Sequence, residues 1–146
     1  EIRSRGLGDV YKRQLLLLKK RIEKLVSLRD LHTTVAFLLI FMNAIAGVWG
    51  ILLDRKSLKS TRFFWAAIVT AQIIVFAQAI VGVALQSEEK IEPDDFHYLY
   101  GFSMIIAIAL LYGYRNTIGN KKFLLYGLGS LFIMGLGIRA MFLGTT

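Results

Sequence analysis

The chain has 146 residues, of which 55% are hydrophobic and only 19% are charged, and its mean hydropathy is +0.56. Soluble domains are about 25% charged, so this composition argues against a soluble globular enzyme and excludes a disordered chain. The sequence has no cysteine, which excludes disulfides, thiolate metal sites and covalent c-type haem attachment. The net charge of +8 comes from basic residues between long apolar runs, so it indicates membrane topology and not a nucleic-acid partner.

The first fourteen residues differ from the rest of the chain. They show no apolar periodicity and lack the apolar core and cleavage site of a signal peptide. Residues 4–14, SRGLGDVYKRQ, resemble the translated end of a transposon-based sequencing adapter. The alternative is a genuine basic tail. We expect residues 1–14 to be adapter-derived and unpacked or disordered, and the natural N-terminus to be missing from this sequence.

Residues 15–30, LLLLKKRIEKLVSLRD, combine apolar and basic positions. Apolar residues recur at spacings of three and four, which is typical of a helix, and four basic residues fall between them. This pattern predicts a short amphipathic helix on the membrane surface. The alternative is the end of a segment that this sequence lacks. The apolar positions are Leu15, Leu18, Ile22, Leu25 and Leu28.

Four apolar runs follow, at residues 31–53, 63–85, 96–114 and 123–143. About 20 residues are needed to cross the hydrocarbon core of a membrane, so each run can form one span. Pro93 and Asp94 predict that the third helix starts just before its apolar run. The loops are short, and unpaired backbone cannot face lipid. The prediction is therefore an all-α integral membrane protein, with residues 31–143 folded as an up-down-up-down four-helix bundle.

Basic residues are distributed unevenly between the two ends of this bundle. The loops 54–62 and 115–122 carry seven of them, against six in residues 15–30 and the acidic loop 86–96. Basic loops tend to remain in the cytoplasm. We therefore expect loops 54–62 and 115–122 to be cytoplasmic in a bacterial plasma membrane, with the acidic loop outside, although the basic segment 15–30 favours the reverse.

The two histidines occupy equivalent places in parallel spans. His32 begins the first span and His97 begins the third, so both belong to the same membrane face. Gln78 lies near the end of the second span, and Arg139 lies near the end of the fourth. The predicted topology therefore collects these four residues at one end of the bundle.

Two main interpretations of this end stay open, beside a site for another ligand or metal. Histidine and arginine commonly occur at the lipid–water interface, where they have packing roles. Alternatively, His32 and His97 ligate the iron of a b-type haem, Arg139 pairs with a propionate and Gln78 lines the site. Two histidines without an acidic residue at ligand spacing make a poor zinc site, so we consider them metal ligands only for haem iron. Small residues one turn further in would leave room for the macrocycle: Ala36, Gly101 and Gly135.

The other polar and small residues of the spans suggest helix packing. Asn43 and Gln72 are expected to hydrogen-bond between helices, and the glycines of the fourth span are expected to allow close helix approach. A proton or ion path normally has an ionisable residue near mid-membrane, and the sequence places none there. It also has no nucleophile–base pair and no Walker-type loop, so we expect no enzymatic activity.

Three segments, FHYLYGF, LLYGYR and LLYGLGSLFIMGLGIRAM, resemble a group of small four-helix bacterial membrane proteins without an established activity. The resemblance covers roughly residues 30–143. It implies four spans and a plasma membrane setting, and it supplies no catalytic residues. The overall plan also resembles haem-carrying bundles of the cytochrome b561 and haem A synthase kind, although those generally hold more histidines.

The sequence therefore predicts a small, non-enzymatic membrane component that binds lipid, a partner membrane protein or a second copy of itself. The alternative is a bis-histidine haem protein that transfers electrons.

Overall fold

A computed structural model describes residues 2–56, 62–90 and 92–144, apart from the side chains of residues 2–7 and 25. Within these residues the chain forms four long helices: α1 (Ile2–Lys56), α2 (Arg62–Glu89), α3 (Asp95–Tyr114) and α4 (Lys122–Gly144). A short 3₁₀ turn, Gly119–Lys121, precedes α4. Each long helix has enough length and apolar character to cross a membrane. The predicted all-α class and its four apolar helices are thus confirmed.

The ends of α2 and α3 are set by local hydrogen bonds around the acidic loop. The Asp94 carboxylate accepts a hydrogen bond from the backbone N–H of Phe96 at 2.8 Å, which satisfies one of the free donors at the start of α3. This agrees with the start predicted at Pro93 and Asp94. Helix α2 continues past the predicted end of its span. It stops at Glu89, where Lys90 takes a left-handed φ of 53° and donates to the carbonyl of Gln86 at 2.9 Å.

Helix α1 is longer than the sequence predicts. The expected surface helix over residues 15–30 has no boundary of its own, because the helix continues without a break into the first apolar run. No proline interrupts α1, and its first half is rich in leucine, lysine and arginine, which favour helix. Residues 2–14 are also helical, and the side chains of residues 8–24 are exposed. The adapter origin of residues 1–14 and the surface position of residues 15–30 stay predictions.

Helices α1 and α4 pack with their backbones in contact. A Cβ atom placed on Gly50 would lie 2.8 Å from both the Gly127 Cα and the Phe123 carbonyl oxygen. A Cβ atom on Gly127 would lie 2.9 Å from the backbone nitrogen of Ile51. Lipid provides little hydrophobic force between apolar helices, so association depends on such close approach at small residues. This confirms, at Gly127, the packing role predicted for the glycines of the fourth span, whereas Gly135 has no neighbour within 4 Å of a Cβ position and does not share that role.

The remaining helix contacts join the beginning of one apolar run to the end of another. Against α1, α2 places Gly82 beside His32 and Phe64 beside Trp49. Helix α3 packs mainly on α4, where Leu111 fills the space opposite Gly129. Contacts between α2 and α3 are sparse.

The centre of the bundle is apolar, apart from a few amides and a hydroxyl. Asn43, Gln72 and Ser130 are the buried polar side chains of the described part. Asn43 donates to the carbonyl of Leu39 in its own helix at 2.9 Å, so its amide nitrogen does not make the predicted bond between helices. Neither amide atom of Gln72 has a hydrogen-bond partner among the described residues. The buried apolar side chains include Leu39, Ala46, Phe64, Ile68, Val75, Met104, Ile108 and Ile133.

An aromatic layer closes the bundle at the end of the basic loops. Phe64 lies at its centre, with ring centroids 5.1 Å from Trp65, 5.6 Å from Phe123 and 5.9 Å from Trp49. Tyr126 connects Trp65 to Tyr112, so the layer draws on all four long helices. Most of these pairs are T-shaped, the arrangement that aromatic rings favour. The layer consists of Trp49, Phe64, Trp65, Tyr112, Phe123 and Tyr126.

The backbone contact between α1 and α4 makes Gly127 intolerant of any side chain. We expect Gly127→Ala to destabilise the fold by about 1–3 kcal/mol, because the added methyl would overlap backbone atoms of α1. Gly135→Ala is the matched control in the same helix, since a Cβ atom there would meet nothing within 4 Å. It should change stability by about 1 kcal/mol or less. Thermal unfolding in detergent micelles measures both, and equal effects would refute the close packing at Gly127.

Candidate functional site

His32 and His97 face each other at the end of the bundle opposite the aromatic layer. Their ring centroids are 6.2 Å apart and their planes are inclined at 51°. Both side chains are half-buried. The parallel placement of the first and third apolar runs thus brings the two imidazoles together.

The His97 ring is held in one tautomer by helix α4. Its Nδ1 atom lies 2.9 Å from the carbonyl oxygen of Ala140. A carbonyl oxygen can only accept, so Nδ1 carries the proton and donates it. In the neutral ring this leaves a lone pair on Nε2. Histidines that ligate metals commonly have their other nitrogen fixed in this way.

The His32 ring is in contact with Gln78 of α2. His32 Nε2 lies 3.2 Å from Gln78 Nε2, so this amide makes a hydrogen bond between helices. His32 Nδ1 and Gln78 Oε1 are buried and have no partner among the described residues. Two such atoms without partners, one on each side chain, are costly, because each has lost its hydration without replacement.

The edges of the two imidazole rings each pack against a glycine. A Cβ atom on Gly82 of α2 would lie 3.1 Å from His32 Cε1, and one on Gly144 of α4 would lie 3.1 Å from His97 Cε1. One turn further in along α3, the absent side chain of Gly101 leaves open space with no atom within 4 Å. The rings are therefore packed closely against α2 and α4, while open space lies beside Gly101.

Arg139 differs in its surroundings from the other predicted site residues. It is exposed, as are Phe132 and Gly135 at helical spacing on the same face of α4. Within the described part it makes no hydrogen bond or ion pair. The structure therefore brings His32, His97 and Gln78 into contact, and it places Arg139 on the outer surface at the same end.

The donor set at this end consists of two imidazoles. No group of three histidine, aspartate or glutamate side chains in the described part could hold a metal ion. A bis-imidazole pair fits haem iron, which takes one nitrogen from each side. His97 fits this role as it stands, whereas His32 would have to exchange its contact with the Gln78 amide for the iron.

No protein-family model, curated protein or solved structure matches this chain. The interpretation of the site therefore depends on its own geometry.

Ion pairs fasten α1 to α2 beside the histidines. Lys24 Nζ lies 3.0 Å from Glu88 Oε1, and Arg29 Nε donates to Glu89 Oε1 at 2.7 Å. A second guanidinium nitrogen of Arg29 bonds the other carboxylate oxygen, so this pair is bidentate. The sequence places these charges at the same end of the bundle. The predicted separate surface helix over residues 15–30 gave no reason to expect that they pair.

The sequence analysis also missed a cavity at the opposite end. A cavity of about 390 Å³ lies between α2, α3 and α4, lined by aromatic, basic and apolar side chains. Trp65, Tyr112 and Tyr126 line it from the aromatic layer, and Arg115 and Lys122 supply positive charge. The sequence signal was present, since aromatic and basic residues meet at the ends of three apolar runs.

Acidification should weaken the attachment of α1 to α2. The hydrogen bond from Arg29 holds the pKa of Glu89, which lies beyond the apolar run 63–85, below its ordinary value. The stabilising effect of this ion pair is therefore complete at neutral pH and is lost as the pH falls through the lowered pKa of Glu89. We expect Glu89→Gln to lower the melting temperature slightly at neutral pH and to reduce its dependence on acidic pH.

Glu92→Gln is the matched control, because Glu92 is exposed in the same loop and makes no ion pair within the described part. Melting curves in detergent between neutral and strongly acidic pH measure both variants. The same pH dependence in Glu89→Gln and in the wild type would show that the ion pair does not stabilise the fold.

Proposed function

We propose that this chain is a multi-pass protein of the bacterial plasma membrane, folded as an up-down-up-down four-helix bundle. The supporting observation is the outward direction of its large apolar side chains. Phe41 is 69% exposed, Ile80 is 70% exposed and Phe102 is 66% exposed, and they belong to three different helices. Such a surface is costly in water and favourable in lipid. The helix contacts, which join beginnings to ends, support the antiparallel arrangement.

We further propose that loops 54–62 and 115–122 are cytoplasmic. The basic charge of residues 15–30 was the main argument against this orientation. In the structure, Lys24 and Arg29 of this segment are paired with Glu88 and Glu89. Lys121 at the other end is also paired, with Asp54 at 3.4 Å, so ion pairs do not favour either orientation. The proposal therefore rests on the larger number of basic residues in the two short loops.

Within the membrane, we propose that the protein acts as a small, non-enzymatic component that binds lipid, a partner membrane protein or a second copy. Its buried polar side chains in the described part are two amides and a hydroxyl, none of which is a strong acid or base. Its contact with the surroundings is through an apolar exterior and the charged ends of the bundle.

Cysteine labelling tests the orientation, because the chain has no cysteine of its own. Ser87→Cys places a thiol beside the acidic loop, and Asn120→Cys places one in the loop 115–122; both positions are exposed. An impermeant thiol reagent applied to intact cells should label only the Ser87 position, and permeabilised cells should label both. Labelling of only the Asn120 position in intact cells would reverse the orientation. Labelling of both positions would contradict the predicted topology, in which a single span, α3, separates them.

A second function, electron transfer by a bis-histidine haem protein, is favoured by one observation. The two imidazoles lie 6.2 Å apart across the bundle end, and the His97 tautomer leaves Nε2 available. In this function His32 and His97 would hold haem b, and Arg139 would pair with a propionate from the outer surface. A low-spin haem with two histidine ligands supplies one-electron transfer and has no open position for oxygen. The protein would orient the rings and keep water from them.

Absorption spectra test this second function. Protein expressed with ample haem and purified in detergent should show a Soret band of a low-spin haem. His32→Ala or His97→Ala should abolish the band or convert it to a high-spin form, whereas Arg139→Leu should weaken haem retention and keep the ligation. Purified wild-type protein without Soret absorbance would refute the haem assignment and leave the histidines with a packing role.

A further inference from the structure

The cavity between α2, α3 and α4 has a basic mouth. Arg115 and Asn116, just beyond α3, and Lys122, the first residue of α4, line it and are all exposed. The Arg115 guanidinium carbon lies 5.6 Å from the centroid of the Tyr112 ring, a cation–π contact that holds this flexible side chain at the cavity.

The charges at this mouth are available to a ligand. Within the described part, neither Arg115 nor Lys122 forms an ion pair. The neighbouring Lys121 differs, since its ammonium group lies 3.4 Å from the Asp54 carboxylate. Two cations that line one cavity and have no acidic partner in the described part favour an anion there. A guanidinium group can bind phosphate through two parallel hydrogen bonds, and an ammonium group adds a point charge.

The deeper lining of the cavity is apolar and aromatic. Ile68 and Val69 of α2 line it together with Trp65 and Tyr126. Val69 is 44% exposed, so the apolar part is continuous with the outer surface of α2. A free inorganic anion would gain nothing from this lining. A molecule that carries an anionic phosphate beside an acyl chain would use both parts.

We propose that this cavity binds the phosphate headgroup of an anionic phospholipid, with the start of an acyl chain along Ile68 and Val69. The proposal rests on the membrane integration proposed above and identifies one lipid site on the bundle. Basic pockets between membrane helices bind such headgroups, and aromatic side chains are typical of this level of the bilayer. In the proposed orientation the site faces the cytoplasmic leaflet.

Tryptophan quenching can test this site, because the chain has only two tryptophans. Trp49→Phe leaves Trp65, a lining residue, as the only reporter. In detergent micelles, phosphatidylglycerol with brominated acyl chains should quench Trp65 saturably, and at far lower concentration than brominated phosphatidylcholine. Equal quenching by the two lipids would overturn the proposal. Melting temperatures of the wild type with unlabelled lipids give a second measurement, independent of the Trp49 substitution.

Charge variants separate this site from general surface attraction. Arg115→Gln combined with Lys122→Gln should weaken phosphatidylglycerol binding about thirtyfold, because each cation contributes about one factor of five to six. Arg55→Gln combined with Lys56→Gln removes the same charge at the same end, outside the cavity, and should weaken binding less than about threefold. Equal losses in both pairs would refute a specific site.

Two further experiments identify the ligand and separate a failure of the lipid site from a failure of the proposed membrane integration. Inorganic phosphate that replaces chloride at constant ionic strength should not displace the lipid. Complete displacement would assign the site to free phosphate. Alkaline carbonate extraction reports membrane integration separately. A protein that stays in the membrane but shows no preference for phosphatidylglycerol refutes the lipid site alone, whereas extraction of the protein would refute the proposed membrane function.

Discussion

The direct backbone contact between α1 and α4 positions the other elements of this protein. Gly50 and Gly127 have no side chains, and any Cβ atom at either position would overlap the neighbouring helix. Apolar helices in lipid gain little from burying their surfaces against each other, so van der Waals contact at small residues has to hold them together. With α1 fixed on α4, α2 packs on α1 and α3 packs on α4. The sparse contacts between α2 and α3 follow from this arrangement.

This packing gives the bundle two chemically different ends. At one end, aromatic rings from all four long helices form a layer, and basic residues surround it. At the other end, His32 meets His97, and two ion pairs extend the attachment of α1 along the last turn of α2. Polar and charged groups are thus concentrated where the proposed bundle would meet headgroups and water, and the middle of the described core holds only two amides and a hydroxyl among its buried polar groups. This distribution matches the cost of polar groups at different depths of a bilayer.

Much of this arrangement could be predicted from apolar run length alone. Four runs of about 20 residues predicted four long helices, and Pro93 with Asp94 predicted where α3 starts. The meeting of His32, His97 and Gln78 followed from chain direction, since successive spans alternate. Run length did not predict that residues 15–30 form one continuous helix with the first apolar run, because a change in polarity does not end a helix. A helix normally ends at a breaker or a cap; no proline or glycine lies between Gly8 and Gly47, and Asp30, a residue type that can cap a helix, lies inside α1.

Other details depend on side-chain direction, which the sequence pattern does not determine. Arg139 lies at the predicted end of α4, and the rotation of that helix sets its side chain on the outer surface. Asn43 satisfies its amide nitrogen within its own helix, so the expected bond to a neighbour is absent. The cavity between α2, α3 and α4 also depends on helix packing. Its two cations lie in one loop of the sequence, but only the fold brings them beside the aromatic and apolar side chains of α2.

The central claim is that these helices assemble in a membrane so that α1 and α3 meet at one end. The most direct measurement is intramolecular crosslinking of His32→Cys with His97→Cys by a short bifunctional thiol reagent in isolated membranes, followed by intact-mass analysis. The account predicts efficient crosslinking of this pair and none for His32→Cys with Asn120→Cys, whose positions lie at opposite ends of the bundle. Absence of crosslinking in the histidine pair, or equal crosslinking in the two pairs, would contradict the assembly described here.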